Sequence, residues 1–236
     1  MTSNLAALAL DARDPDLLLR FWGSVLERDV VDGTTLAPRD EHDVPIDIWP
    51  SEAPKPGPNQ MHLDLTSSSL DDQQAVVRRA LDLGARHLDV GQGPEADHVV
   101  LADPEGNEFC VIEPWNRFLA GCPRLGALAG DGSQAVGYFW SEALGWPLVW
   151  DQDEETAVQS PDGGTKITWG GPPVRAKTAK NRFHLDIAPP VGVDQLAEVQ
   201  RLESLGARRL DIGQGDVSWV VMADPDGNEF CVLTPR

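Results

Sequence analysis

Cysteine is scarce in this chain of 236 residues: Cys110, Cys122 and Cys231 are the only three. A sparse, odd count excludes a disulfide framework and points to a reducing compartment. Positive charge is also short. Nineteen Lys and Arg face 38 Asp and Glu, which leaves a net charge of −19. Such a chain repels phosphate backbones and anionic lipid surfaces, so neither nucleic acid nor membrane is an expected partner. A cationic small molecule would be drawn in. No apolar run is long enough to span a bilayer. The stretch from Met1 to Leu5 lacks a basic region followed by an apolar segment of signal-peptide length. The expectation is a soluble, cytoplasmic protein.

What the chain has is one stretch written twice. The first copy opens with Met61-His62-Leu63-Asp64-Leu65 and closes with Asp103-Pro104-Glu105-Gly106-Asn107-Glu108-Phe109-Cys110-Val111. The second opens with Phe183-His184-Leu185-Asp186-Ile187 and closes with Asp224-Pro225-Asp226-Gly227-Asn228-Glu229-Phe230-Cys231-Val232. The histidines are 122 residues apart (184 minus 62) and the cysteines 121 (231 minus 110). A period this long marks a duplicated domain, not a solenoid. The division falls in the segment 114–123, giving domains over 1–116 and 117–236, each of ordinary domain size.

The pattern around the repeat supplies the elements. Asp14-Pro15 starts a helix, with Asp as cap and Pro at the first helical position. Leu18, Phe21, Trp22 and Val25 make its buried stripe. Residues 61–66 read as a strand and 69–83 as a helix ended by Gly84 in the left-handed region. Residues 98–102 and 108–112 form a hairpin across Asp103-Pro104-Glu105-Gly106-Asn107. That turn lacks the carboxylate spacing of a calcium loop, and Gly91-Gln92-Gly93 lacks the Lys-Ser/Thr of a phosphate loop. Arg20-Phe21-Trp22 and Gly137-Tyr138-Phe139-Trp140 hold equivalent places, so the repeat extends faintly over the front of each half. Residues 50–59 and 170–182 are Gly/Pro-rich connections. The second carries Arg175, Lys177, Lys180 and Arg182, the basic cluster of an acidic chain. The expected fold class is α+β: two tandem domains, each of paired βαβββ units forming a curved, mostly antiparallel sheet with a central cleft.

Alternation of side chains along a strand then sorts the faces. Leu63, Leu65, Phe109 and Val111 must meet the helices, which leaves His62, Asp64 and Cys110 together on the concave face. The second copy gives His184, Asp186 and Cys231. A histidine oriented by a carboxylate can act as a general base, and His with Cys can hold zinc. The same trio can equally be a satisfied polar patch, and a buried thiol usually behaves as a small hydrophobe. Trp49 and Trp169 are strand residues that could line a pocket.

Together the βαβββ units, the Phe-Trp helix, the His-Leu-Asp strand and the Asp-Pro-x-Gly-Asn-Glu-Phe hairpin resemble the vicinal oxygen chelate superfamily, in its tandem glyoxalase-like branch. That superfamily includes glyoxalase I, extradiol dioxygenases and bleomycin-binding proteins. The resemblance implies a divalent metal (Zn, Ni, Mn or Fe) in the cleft, held from the first and last strands of each unit. His62 and His184 match its first-strand histidine, and Cys110 and Cys231 stand where metal-dependent members carry glutamate. Ala7 and Leu125 fall near the remaining first-strand position and cannot ligate. Asp47 falls near the other front-unit position, with its counterpart around Thr168 or Trp169. The two-histidine, one-glutamate set is therefore incomplete.

The resulting expectation is a glyoxalase/bleomycin-resistance-like protein that binds a small organic molecule in the sheet cleft. The candidate contacts are Asp64, Cys110, Trp49, Asp186, Cys231 and Trp169. The alternative is a lyase or isomerase, metal-dependent or acid–base, with His62 and His184 catalytic or metal-bound. A third reading, a purely structural module, predicts a filled cleft. The expected assembly is a monomer with intrachain domain pairing, or a homodimer.

Overall fold

The computed structural model describes residues 2–40, 42–93 and 95–236. The chain folds as four successive βαβββ units. The first holds β1 (Asn4–Ala12), α1 (Pro15–Leu26), β2 (Val30–Val31), β3 (Thr35–Leu36) and β4 (Ile46–Pro50). The second holds β5 (Met61–Leu65), α2 (Leu70–Asp82), β6 (Arg86–His87), β7 (Val99–Ala102) and β8 (Glu108–Val111). The third holds β9 (Leu125–Gly130), α3 (Gln134–Leu144), β10 (Leu148–Gln152), β11 (Glu155–Ser160) and β12 (Gly163–Trp169). The fourth holds β13 (Phe183–Ala188), α4 (Gln195–Ser204), β14 (Arg208–Arg209), β15 (Val220–Ala223) and β16 (Glu229–Val232).

Local chemistry explains the helix starts. The Asp14 side chain accepts from Leu17 N, with Pro15 in the first turn. Ser69 caps α2 through Asp72 N, and Asp194 caps α4 through Ala197 N. Gly84, past the end of α2, has φ +98°, a conformation that only glycine adopts without strain.

Two curved eight-stranded sheets result, in the orders β14-β15-β16-β13-β1-β4-β3-β2 and β10-β11-β12-β9-β5-β8-β7-β6. We call them the first and second sheets. Each is mostly antiparallel and each is a pair of βαβββ units. The two units of a sheet, however, come from different halves of the chain. β1 pairs antiparallel with β13, and β5 with β9. The first strand of every unit has one edge taken by its own last strand and one edge free. These four free edges are chemically alike, and chain order does not dictate which of them join.

Within one half the units associate through their helical faces instead. Phe21 and Trp22 of α1 meet Phe109 of β8 edge to face, with centroids 6.0 and 5.0 Å away. Trp140 of α3 meets Phe230 in the same way at 5.1 Å. Leu63, Leu65, Phe109 and Val111 are fully buried in this core, as are Leu185, Ile187, Phe230 and Val232.

The Asp-Pro-x-Gly-Asn turns do more than close hairpins. The Asp103 carboxylate is wholly buried and accepts from Glu105 N, Asn107 N, Asn107 Nδ2 and the indole of Trp22. Asp224 repeats this arrangement with Asp226 N, Asn228 and Trp140. Each turn is thereby bolted to a helix of the preceding unit.

Candidate functional site

The pleat brings the concave-face trio together in both sheets. Asp64 stands beside Cys110 in the β5–β8 ladder, and Asp186 beside Cys231 in the β13–β16 ladder. His62 Nε2 is 3.3 Å from Asp64 Oδ1, and His184 Nε2 is 3.2 Å from Asp186 Oδ1. In each trio one nitrogen, one carboxylate oxygen and the thiol sulfur lie within 4.8 Å of one another.

The strand across each ladder contributes only small residues. Ala129 and Ala127 face His62 and Asp64, and Ala9 and Ala7 face His184 and Asp186. Leu125, expected near this position, instead belongs to the core, because the β5–β9 register shifts between Asp64 and Leu65. Asp47 pairs with Ala9 and so belongs with His184, not with the His62 of its own half. Thr168, opposite Ala129, is its counterpart in the second sheet.

Trp169 faces away from the cleft. Its indole is buried against Gly130 and Gly132, where an added Cβ would stand 3.1 and 2.6 Å from the ring. The expectation that it lines the cleft is therefore corrected: two glycines leave a niche on the core side, and the pleat points Trp169 into it. Trp49, beside Asp11 at the end of the first sheet, is exposed.

Electrostatics differ from group to group. Burial pulls the His62 imidazole down, but the hydrogen bond and charge of Asp64, with Glu108 behind it, outweigh burial and hold it above its ordinary value. Burial, then the carboxylates of Asp64 and Asp186, push the Cys110 and Cys231 thiols up. Burial also raises Asp47, opposed by a hydrogen bond from Thr35 Oγ1 at 2.6 Å and reinforced by the charge of Asp186.

The donor chemistry fits a divalent ion. Asp64 Oδ1 and Asp186 Oδ1 are buried and weakly held: the donors beside them are a histidine Nε2, at 3.3 and 3.2 Å, and a thiol, while the buried His184 Nδ1 lacks a partner. A buried carboxylate oxygen so weakly paired costs free energy that a cation recovers. A nitrogen, an oxygen and a sulfur suit a borderline-soft metal such as zinc, and three protein ligands leave a position open.

The two clefts are not equally accessible. The His62 and Asp64 side chains are 38% and 18% exposed, against 11% and 8% for His184 and Asp186. His62 and Cys110 open into a cavity of about 790 Å³ that Val100, Arg86 and the 55–59 loop also line. At the rim of the large cavity stand Arg175, from the basic cluster visible in the sequence, and Lys55, which no sequence motif marks. Lys55 binds Glu108 at 2.7 Å, and Lys177 binds Glu229 at 2.6 Å. Both lysines lie 122 residues apart (177 minus 55), so the repeat itself carried the signal.

A family model described as a glyoxalase-like domain matches residues 7–112 and again 127–233. The chain belongs to this glyoxalase-like family, within the vicinal oxygen chelate superfamily. Glyoxalase I from Zea mays shares the fold over 99% of this chain and 92% of its own, with a TM-score of 0.64 at 13% identity. A glyoxalase/bleomycin resistance protein/dioxygenase family enzyme from Burkholderia phytofirmans PsJN covers 46% of this chain and 96% of its own, at 17% identity and a TM-score of 0.39. No curated protein sequence matches. Among the described residues, no helix of this glyoxalase-like chain is long and apolar enough to cross a membrane.

Proposed function

We propose that this glyoxalase-like protein binds a small organic molecule in the cleft of its second sheet, over His62, Asp64 and Cys110. The observation that carries the reading is the cavity of about 790 Å³ that reaches His62 and Cys110. Its size is that of a small-molecule site, and a structural module has no need of it. The lining balances Lys55, Arg86 and Arg175 against Asp89, Glu105 and Glu108. The strong acidity of the chain therefore does not extend into the cleft, and a ligand of mixed polarity fits better than a polycation. The sheet that forms the cleft is complete within one chain, so a monomer suffices for binding.

A thermal-shift screen over polar small molecules, bleomycin-type antibiotics included, tests this. Compounds that stabilise the wild type should lose their effect in Val100→Trp, which fills the cavity from its floor. A broad panel without a stabilising compound, or hits indifferent to Val100→Trp, would count against the reading.

A second reading, a lyase or isomerase, draws on the buried, weakly paired Asp64 Oδ1. A divalent metal held by His62, Asp64 and Cys110 would supply Lewis acidity to an oxygenated substrate. Without it, His62, its Nε2 held toward Asp64, is the group placed to take a proton at Nδ1. Elemental analysis of protein purified without added metal separates the two. Stoichiometric metal that disappears in His62→Ala favours the enzyme.

A further inference from the structure

The basic segment 170–182 treats the two sheets differently. Its Arg175 binds Asp131 at 2.6 Å and Asn59 O at 2.9 Å, at the rim of the open cavity. Its Lys180 reaches the other sheet and forms an ion pair with Asp11, a buried carboxylate on the same strand face as Ala9 and Ala7. The ammonium also touches Asn181 O at 3.4 Å. It is close enough to Cys231 for its charge to oppose the rise of that thiol. Arg182 holds the strap down from its far side, donating twice to Asp11 O and pairing with Glu105. In the first repeat the residue equivalent to Lys180 is Pro58 (180 minus 58 is again 122), which offers no charge and no reach. The 53–60 loop there leaves His62 open.

We propose that Lys180, paired with Asp11, closes the cleft of the first sheet, so that only the second sheet admits a small molecule. The chain supplies its own ammonium group to a cleft face bearing Asp11, Asp47 and Asp186, and this accounts for the difference in exposure between His184 and His62. The closure stands on its own geometry; the consequence of one ligand per chain rests on the function proposed above.

Carbethoxylation with diethyl pyrocarbonate, followed peptide by peptide by mass spectrometry, tests the closure without any ligand. In the wild type His62 should react several-fold faster than His184. Lys180→Ala should raise the His184 rate several-fold and leave His62 unchanged. Asp11→Ala removes the anchor from the other side and should do the same. The remaining histidines report any general unfolding, which would accelerate all of them together. Added ethylammonium should slow His184 again in Lys180→Ala, whereas ethanol should not. A wild-type His184 as reactive as His62 would overturn the proposal, as would a His184 still protected in both folded variants. A ligand screen that fails leaves the histidine ratio untouched, so failure of the functional reading remains distinguishable.

Discussion

The indole Nε1 of Trp22 donates to the buried carboxylate of Asp103 at 3.2 Å, joining α1 to the β7–β8 turn 81 residues further on. Trp140 repeats the bond to Asp224 at 3.3 Å. Burial raises the pKa of both aspartates, Asp224 to about 6. Trp22→Phe keeps an aromatic ring against Phe109 but deprives Asp103 of a donor where water cannot replace it. It should cost about 1–3 kcal/mol, read by urea denaturation. A loss under about 0.5 kcal/mol, the size of an ordinary surface change, would show that the bond is dispensable.

The acid limb of stability should trace to Asp72. Arg124 donates to both its oxygens, at 2.9 and 3.1 Å, and with Ser68 holds its pKa down at about 2 against weaker desolvation. A depressed carboxylate contributes stability above its unfolded value near 3.8 and loses it as pH falls through about 2. Asp72→Asn should therefore be less stable than wild type at pH 7, by about 1 kcal/mol for a partly exposed pair. The difference should shrink as pH falls from 4 to 2. A gap independent of pH would refute this assignment.

Gly137 lies inside α3, where alanine normally favours a helix by about 1 kcal/mol. Here an added Cβ would meet Thr156 Oγ1 at 2.0 Å and its Cβ at 2.5 Å. Gly137→Ala should reverse the usual sign and destabilise by about 1–3 kcal/mol, the usual cost of overpacking. The double variant with Thr156→Ala should recover much of that loss. A stabilised Gly137→Ala would mean that α3 can move off β11 freely.

Cobalt(II) offers a visible probe of the trio. Bound through Cys110, it should give a thiolate-to-metal charge-transfer band. Asp64→Asn should weaken the band and Cys110→Ser abolish it. Binding with no such band, or a band surviving Cys110→Ser, would exclude Cys110 from the metal's ligands.

Much of this site was legible in the sequence, because strand alternation is a strict rule. Leu63 and Leu65 needed the core, so His62 and Asp64 had to share the other face with Cys110. The duplication then gave His184, Asp186 and Cys231 at once. What escaped depends on relations between units. Four free strand edges look alike in sequence, so the joining of β1 to β13 was hidden, and with it the placement of Asp47 beside His184. Trp169 was misjudged because its niche is made by Gly130 and Gly132, and a missing side chain leaves no pattern. Lys180 lay in a basic cluster that was visible, but its target, Asp11, is 169 residues away and belongs to a sheet whose partners were unknown.

The central claim, a small-molecule site over His62, is most directly tested by NMR of ring-labelled histidine during titration with compounds that stabilise the protein. There are five histidines to follow. The account predicts that the His62 resonances move on saturation while those of His184 stay fixed. Stabilising compounds that leave the His62 ring unperturbed would contradict it.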